Sequence, residues 1–189
     1  MNRAEILKAI QKHYNYQKYL EIGVKAKFTF DQMECEFKVG LDKRRACNPT
    51  RIMSSDEYFD SEEYKDEQFD LVFVDGDHSK EQVEKDIDNS LKRLLPNGTV
   101  VLHDMNPLNK DHLNPNLCGD GWEAFAKLRT TRKDLNMFCI PDDLGLGIIQ
   151  KGSQELYEEE IKSGWDFFYK HKNELMKFVE FNKMTENLV

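Results

Sequence analysis

The chain is poor in the residues that mark several easily recognised classes of protein. Its four cysteines, Cys35, Cys47, Cys118 and Cys139, lie 12, 71 and 21 positions apart and form no CxxC pair, which argues against a zinc ribbon or a redox dithiol. Long apolar runs are missing too. The opening MNRAEILKAIQKHY interleaves charges with apolar residues, so it reads neither as a secretory signal nor as a membrane span. Together these features point to a reducing, cytoplasmic setting with no membrane partner. Positive charge is also in deficit, 27 Lys+Arg against 35 Asp+Glu for a net charge of −8, so the clustered basic footprint that draws affinity from nucleic-acid phosphates is absent. No internal repeat and no linker interrupts the chain. Its 189 residues, 39% hydrophobic, are enough for one domain with a sizeable core.

What the sequence does contain is an alternation of β-branched and aromatic runs with amphipathic stretches, the pattern of βα units around a parallel sheet. Strands are expected at Tyr19 to Gly23, Phe37 to Asp42, Arg51 to Met53, Phe69 to Asp75, Thr99 to Asp104, Asn136 to Ile140 and Gly145 to Gln150. Between Asp75 and Thr99, the residues Val83, Ile87, Leu91 and Leu94 recur at helical spacing, after Ser79 and before Pro96-Asn97-Gly98. The flanking runs FDLVFVD and GTVVLHD are almost wholly apolar, as expected of neighbouring strands covered on both faces and joined by a right-handed crossover. Residues 121–132 read as a helix. LNMFCIPDDLGLGIIQ reads as two strands around a turn, an antiparallel hairpin closing the sheet. The expected organisation is a single domain, 1–189, with an N-terminal helix over 1–15, a core over about 16–152 and a C-terminal helical extension over 153–189. The acid run between Asp56 and Asp70, eight acids and one lysine, reads as a solvated helix face.

Ligands of open parallel sheets bind outside the carboxyl ends of the strands, so the strand tips are where chemistry is expected. Glu21, Gly23 and Val24 follow the first strand, Asp42 the second, Ser54, Ser55 and Asp56 the third; Asp75-Gly76-Asp77-His78 follow the fourth, and His103-Asp104 end the fifth. Glu21 and Asp42 are 21 positions apart, a separation at which an acid can grip ribose hydroxyls, although no GxGxxG accompanies it. On these residues alone, the alternative is that Gly23 merely permits a turn and Asp42 merely caps one.

Taken together, YLEIGV, VGLD, SSDEYF, FDLVFVDGDHSKEQVEKDI, LLPNGTVVLHD and GDGWEAFAKLR resemble the class I S-adenosylmethionine-dependent methyltransferases, and more narrowly a group whose fourth and fifth strands end in DGxH and HD. The resemblance implies a Rossmann-like α/β fold, with a mostly parallel sheet, a C-terminal antiparallel hairpin and helices on both faces. It implies that Glu21, Gly23 and Val24 surround the methionine part of the cofactor, that Asp42 holds the ribose, that Ser54, Ser55 and Asp56 contact adenine, and that Asp75 faces the reaction centre. Lys27 departs from the pattern, standing where relatives carry the last glycine of the first loop.

Methyl transfer from a sulfonium needs orientation and removal of a proton from the acceptor. His78 is the first candidate base and His103 the second, since imidazole titrates near neutrality; Asp104 would orient one of them. Asp75 and Asp104 end adjacent strands and could hold Mg²⁺. The loop from Met105 to Gly121, with Asn106, His112 and Asp120, is expected to cover the acceptor; Trp122 is a candidate platform or a core residue. The resemblance implies transfer to oxygen of a small polar acceptor such as a saccharide. A homodimer through the C-terminal helices is a further expectation. The rival readings are a non-catalytic module of the same fold that binds a nucleoside or a protein, and a nicotinamide-dependent oxidoreductase.

Overall fold

A computed structural model describes all 189 residues. The first helix, α1 (Arg3–Tyr14), is fixed at its start by a capping box, in which the Asn2 side chain accepts from the Glu5 amide and the Glu5 carboxylate accepts from the Asn2 amide. It stops at Asn15, which adopts the left-handed conformation at φ 55°. Its buried stripe of Ala4, Ile6, Leu7 and Ile10 lies on the sheet. The strands are β1 (Lys18–Ile22), β2 (Phe37–Asp42), β3 (Arg51–Ile52), β4 (Phe69–Val74), β5 (Leu94–Leu102), β6 (Leu135–Ile140) and β7 (Leu146–Lys151), in the order β3-β2-β1-β4-β5-β7-β6. β1 through β5 are parallel, while β7 pairs antiparallel with both β5 and β6, as the hairpin expectation required.

Alternation along the central strands divides the core. Val72 and Val74 face one side, where α2 (Ser55–Asp60), α3 (Lys80–Arg93), α4 (Trp122–Thr131) and α5 (Trp165–Met176) gather. Leu71 and Phe73 face the other side, with α1 and Met184 of the short α6 (Met184–Asn187). This second side is thinly covered. The crossovers from β1 to β2 and from β2 to β3 contain only single 3₁₀ turns, Phe30–Gln32 and Arg45–Cys47, so the first loop and the tip of β2 stay open to solvent. At the far edge, the Lys177 carbonyl accepts from the Cys139 amide and the Cys139 carbonyl from the Val179 amide, extending the sheet past β6 by one bridge.

Several boundaries differ from expectation for definable reasons. α3 ends at Arg93, ahead of Pro96, because Leu94 already pairs with Phe69; the Pro96-Asn97-Gly98 segment becomes an irregularity inside β5 before Thr99 pairs with Leu71. Ser79 makes no side-chain cap. Instead, Asp120 accepts from the Lys80 amide at 2.8 Å, tying the 105–121 loop to the start of α3. The acid run supplies only the six residues of α2, followed by turns. Residues 153–164 are not helical; the Arg129 guanidinium donates to the Glu155 carbonyl, and the Tyr157 amide donates to the Arg129 carbonyl. No helix is long and apolar enough to cross a membrane.

Trp122 is fully buried against Phe168, ring centroids 4.8 Å apart, which makes it core and removes it as a platform. Since Phe168 is the buried anchor of α5, Phe168→Ala is expected to lower unfolding free energy by about 3–5 kcal/mol in a denaturant titration.

Candidate functional site

The tips of β1 to β4 open onto one cavity of about 650 Å³. Its walls include Gly23 from the first loop, Asp42 at the end of β2, Ser54, Ser55 and Asp56 before and in α2, and Asp75 and His78 after β4. Most of the residues singled out in the sequence for the cofactor thus meet in one place. Gly23 is needed there, at φ 89°, because a Cβ on it would fall 2.2 Å from the Asp75 carbonyl oxygen. Glu21 and Val24 lie behind the wall. The Glu21 carboxyl, 2% exposed, accepts the Tyr19 hydroxyl at 2.5 Å, and burial lifts its pKa to about 8 against that bond.

Asp42 is held from several directions. Arg44 donates from Nε and Nη2 to its two oxygens at 3.1 Å each, and the amides of Lys25 and Arg44 donate at 3.0 and 2.9 Å. Burial alone would raise its pKa, but Arg44 and the two amides outweigh burial and bring it down to about 2, so Asp42 is a carboxylate at any physiological pH. The Arg44 side chain is 62% exposed.

Lys27 does not enter the cavity. Its ammonium lies over the Phe30 ring, 5.6 Å from the centroid, and its backbone takes φ 59°, the conformation a glycine would hold without cost. The departure from the family pattern is thus confined to backbone strain.

At the β4–β5 end, carboxylates crowd around imidazoles. His103 Nδ1 is 3.2 Å from Asp75 Oδ1 and 3.1 Å from Asp104 Oδ2, and its Nε2 is 3.6 Å from Asp143 Oδ1 in the β6–β7 turn. His78 Nε2 stands 3.4 Å from Asp104 Oδ2 and 3.9 Å from Asp75 Oδ1. Arg3, at the start of α1, reaches the same group, with Nε 3.5 Å from Asp75 and Nη1 3.5 Å from Asp143. Burial works against a charged His103, but Asp104, Asp143 and Asp75 outweigh it and raise its pKa well above the ordinary histidine value. Asp104 has φ 64°, left-handed backbone at the tip of a strand. One ligand atom each from Asp75, His78 and Asp104 lie within 4.8 Å of one another, a spacing compatible with a single cation. His103 Nδ1 is buried and lies close to two carboxylates without an aligned N–H bond to either.

The 105–121 loop behaves differently from expectation. Asn106 is buried and donates to the Pro141 carbonyl, Asp120 caps α3, and His112 accepts from the Leu108 amide just ahead of its 3₁₀ turn, and none of the three lines the cavity. Pro115 and Asn116 of this loop do line it. Gly119 permits the approach, since a Cβ there would meet the His78 carbonyl oxygen at 2.4 Å.

Sequence reasoning passed over Arg3, Arg44, Gln82, Asp86 and Asp143. For Asp86 a signal existed: it sits with Ser90 on the apolar stripe of α3 beside Val83 and Ile87, where an acid has no ordinary reason to be. It is 1% exposed, and burial raises its pKa to about 6, partly offset by Ser55 and Gln82.

A model of a methyltransferase-domain family matches residues 20–105. No curated protein matches the sequence. Among solved structures, an O-methyltransferase from Bacillus cereus in complex with S-adenosylhomocysteine is 14% identical, with a TM-score of 0.62 over 79% of this chain and 80% of that one. The O-methyltransferase TomG from Streptomyces achromogenes, involved in tomaymycin synthesis and bound to S-adenosylmethionine, is 16% identical, with a TM-score of 0.60 over 80% of each chain. An S-adenosylhomocysteine-bound methyltransferase from Podospora anserina is 16% identical, with a TM-score of 0.59 over 80% of this chain and 78% of that one.

Two outcomes follow from this geometry. Lys27→Gly should stabilise the fold by about 1 kcal/mol in chemical denaturation and leave S-adenosylhomocysteine affinity unchanged. Asp86 holds its proton more tightly when folded, so its contribution to stability falls as pH rises from about 4 to about 6 and is level above that. Asp86→Asn should therefore be more stable than the parent by up to about 3 kcal/mol above pH 6, with the gap closing below pH 4. A methyltransferase-domain match over residues 20–105 and the fold of solved O-methyltransferases are what the chain shares with known proteins.

Proposed function

We propose that the chain transfers the methyl group of S-adenosylmethionine to an oxygen of a small polar acceptor, with His78 as the proton acceptor. The observation that carries this reading is that a single cavity runs from Asp42 and Ser54–Asp56 to Asp75 and His78, so the groups suited to an adenosyl moiety and the group suited to deprotonation share one wall. The ribose diol would take the place of the Arg44 guanidinium on Asp42, and adenine would lie by Ser55 and Asp56. The methionine end would then point to Asp75.

His78 suits the role of base better than His103. It lines the cavity, and Asp104 and Asp75, 3.4 and 3.9 Å from its Nε2, fix the orientation of the ring. His103 is enclosed by three carboxylates that favour its protonated form, which leaves it no lone pair to offer. In this reading His103 and Arg3 are fixed positive charges that keep Asp75, Asp104 and Asp143 together, and Asp104 orients His78.

The same carboxylates fit a divalent ion. Asp75 and Asp104 would hold it, with His78 as the nitrogen ligand in place of its role as proton acceptor, and a ligand set mixing oxygen with imidazole suits Mn²⁺ as well as Mg²⁺. Such an ion would supply positive charge beside the acceptor oxygen and ease loss of its proton. The acceptor class, a sugar or sugar conjugate, rests on the resemblance of the DGDH and HD strand ends. The acid-rich wall, in which Asp42, Asp56, Asp75, Asp77 and Asp86 all take part, is in keeping with a hydroxyl-bearing ligand.

His78→Ala should lower kcat at least about 100-fold while leaving S-adenosylhomocysteine affinity within twofold. Unchanged turnover would remove His78 from the chemistry. Asp42→Ala should do the reverse, weakening S-adenosylhomocysteine binding by about 1.5–3 kcal/mol in calorimetry. Homocysteine release from a panel of sugars, nucleotide sugars and phenols, measured with and without excess chelator, tests the acceptor and the ion together. Turnover lost to chelator and restored by Mg²⁺ or Mn²⁺ assigns the metal, whereas turnover that survives leaves His78 as the proton acceptor with no ion involved.

A further inference from the structure

We propose that Asp86, on α3, selects adenine over other bases by accepting a hydrogen bond from its exocyclic amino group, an assignment that rests on the adenosyl reading of the cavity. The acids lining that cavity differ in what already satisfies them. Asp42 is taken by Arg44 and two amides. Asp56 accepts from Gln82 through Oδ1 at 3.0 Å and from Lys85 through Oδ2 at 3.2 Å. Asp77 accepts from the Ser79 amide at 2.8 Å, and Asp75 belongs to the imidazole cluster. Asp86 stands apart. Its Oδ1 accepts from Gln82 at 3.2 Å, while its Oδ2, fully buried, makes no hydrogen bond although the Ser55 hydroxyl lies nearby.

A buried carboxylate oxygen without a donor costs free energy in the empty protein, and a ligand that donates there recovers it. The place is right for a base. Asp86 is one helical turn beyond Gln82, whose amide nitrogen also reaches Ser55 Oγ at 3.3 Å and Asp56, so this oxygen lies beside the segment where adenine would rest. Adenine presents an N–H donor at its six-position, whereas hypoxanthine presents a carbonyl oxygen, which would face the carboxylate with like partial charge. One atom exchanged on the base therefore reverses the sign of the contact.

The test compares S-adenosylhomocysteine with S-inosylhomocysteine by calorimetry on the full chain, as the ratio of their affinities. The parent protein should favour the adenosyl compound by roughly 10- to 100-fold, the range expected for a hydrogen bond to a charged acceptor. Asp86→Asn should bring the ratio to near one or below, because the introduced amide can donate to the hypoxanthine oxygen. Asp86→Ser should also erase the preference, without a gain for the inosyl compound. Thermal melts of both variants establish that they are folded. A preference kept in both variants overturns the assignment and leaves the adenosyl reading intact. Binding of neither thioether by the parent protein overturns the adenosyl reading and this assignment with it.

Discussion

The arrangement at the end of β4 and β5 is governed by one constraint, negative charge that must be balanced inside the protein. Asp75 ends one strand, Asp104 the next, and Asp143 arrives from the β6–β7 turn, so three carboxylates surround a single imidazole. Left to themselves they would repel. The His103 imidazolium and the Arg3 guanidinium hold them together, and the desolvation that would normally neutralise His103 is outweighed by the acids around it. Three local features accompany that balance. Asp104 sits in left-handed backbone, the first residue of α1 reaches Asp75 and Asp143, and the hairpin turn is fastened to the corner after β5 through bonds from Met105 to Gly145 and from Asn106 to Leu144.

A second theme is the thinness of the fold on the side of the first loop. With no helix between β1 and β2, and none between β2 and β3, the tip of β2 is reached from solvent with little in the way. Arg44 closes it provisionally by lying on Asp42. On the opposite wall the 105–121 loop leans in through Pro115 and Asn116, anchored by Asp120 on α3 and by the close approach at Gly119. The cleft is thus flanked by one exposed side chain and one fastened loop.

The parts legible in the sequence were those written locally. FDLVFVD and GTVVLHD could only be strands covered on both faces, and their acidic ends could be named because a strand tip is fixed by the run that precedes it. Boundaries set by distant partners were not legible. Pro96 looked like the stop for α3, yet it was the pairing of Leu94 with Phe69 that ended the helix. Arg3 and Asp143 lie far along the chain from Asp75, so nothing near either residue announced that they share its site. Asp86 was legible in principle, as an acid on an apolar stripe, but a charge on an otherwise regular helix is easily read as solvated. Glu21 shows the opposite failure: its motif is clear, while its carboxyl faces Tyr19 behind the cavity.

The resting place of a nucleoside thioether is the decisive observation. A crystal structure grown with S-adenosylhomocysteine should show the ribose hydroxyls on Asp42 with Arg44 moved off it, the sulfur beside Asp75 within reach of His78, and His103 still enclosed by Asp75, Asp104 and Asp143. A ligand lodged away from those strand tips, or an Arg44 guanidinium still seated on Asp42 with the cleft empty at saturating ligand, would contradict it.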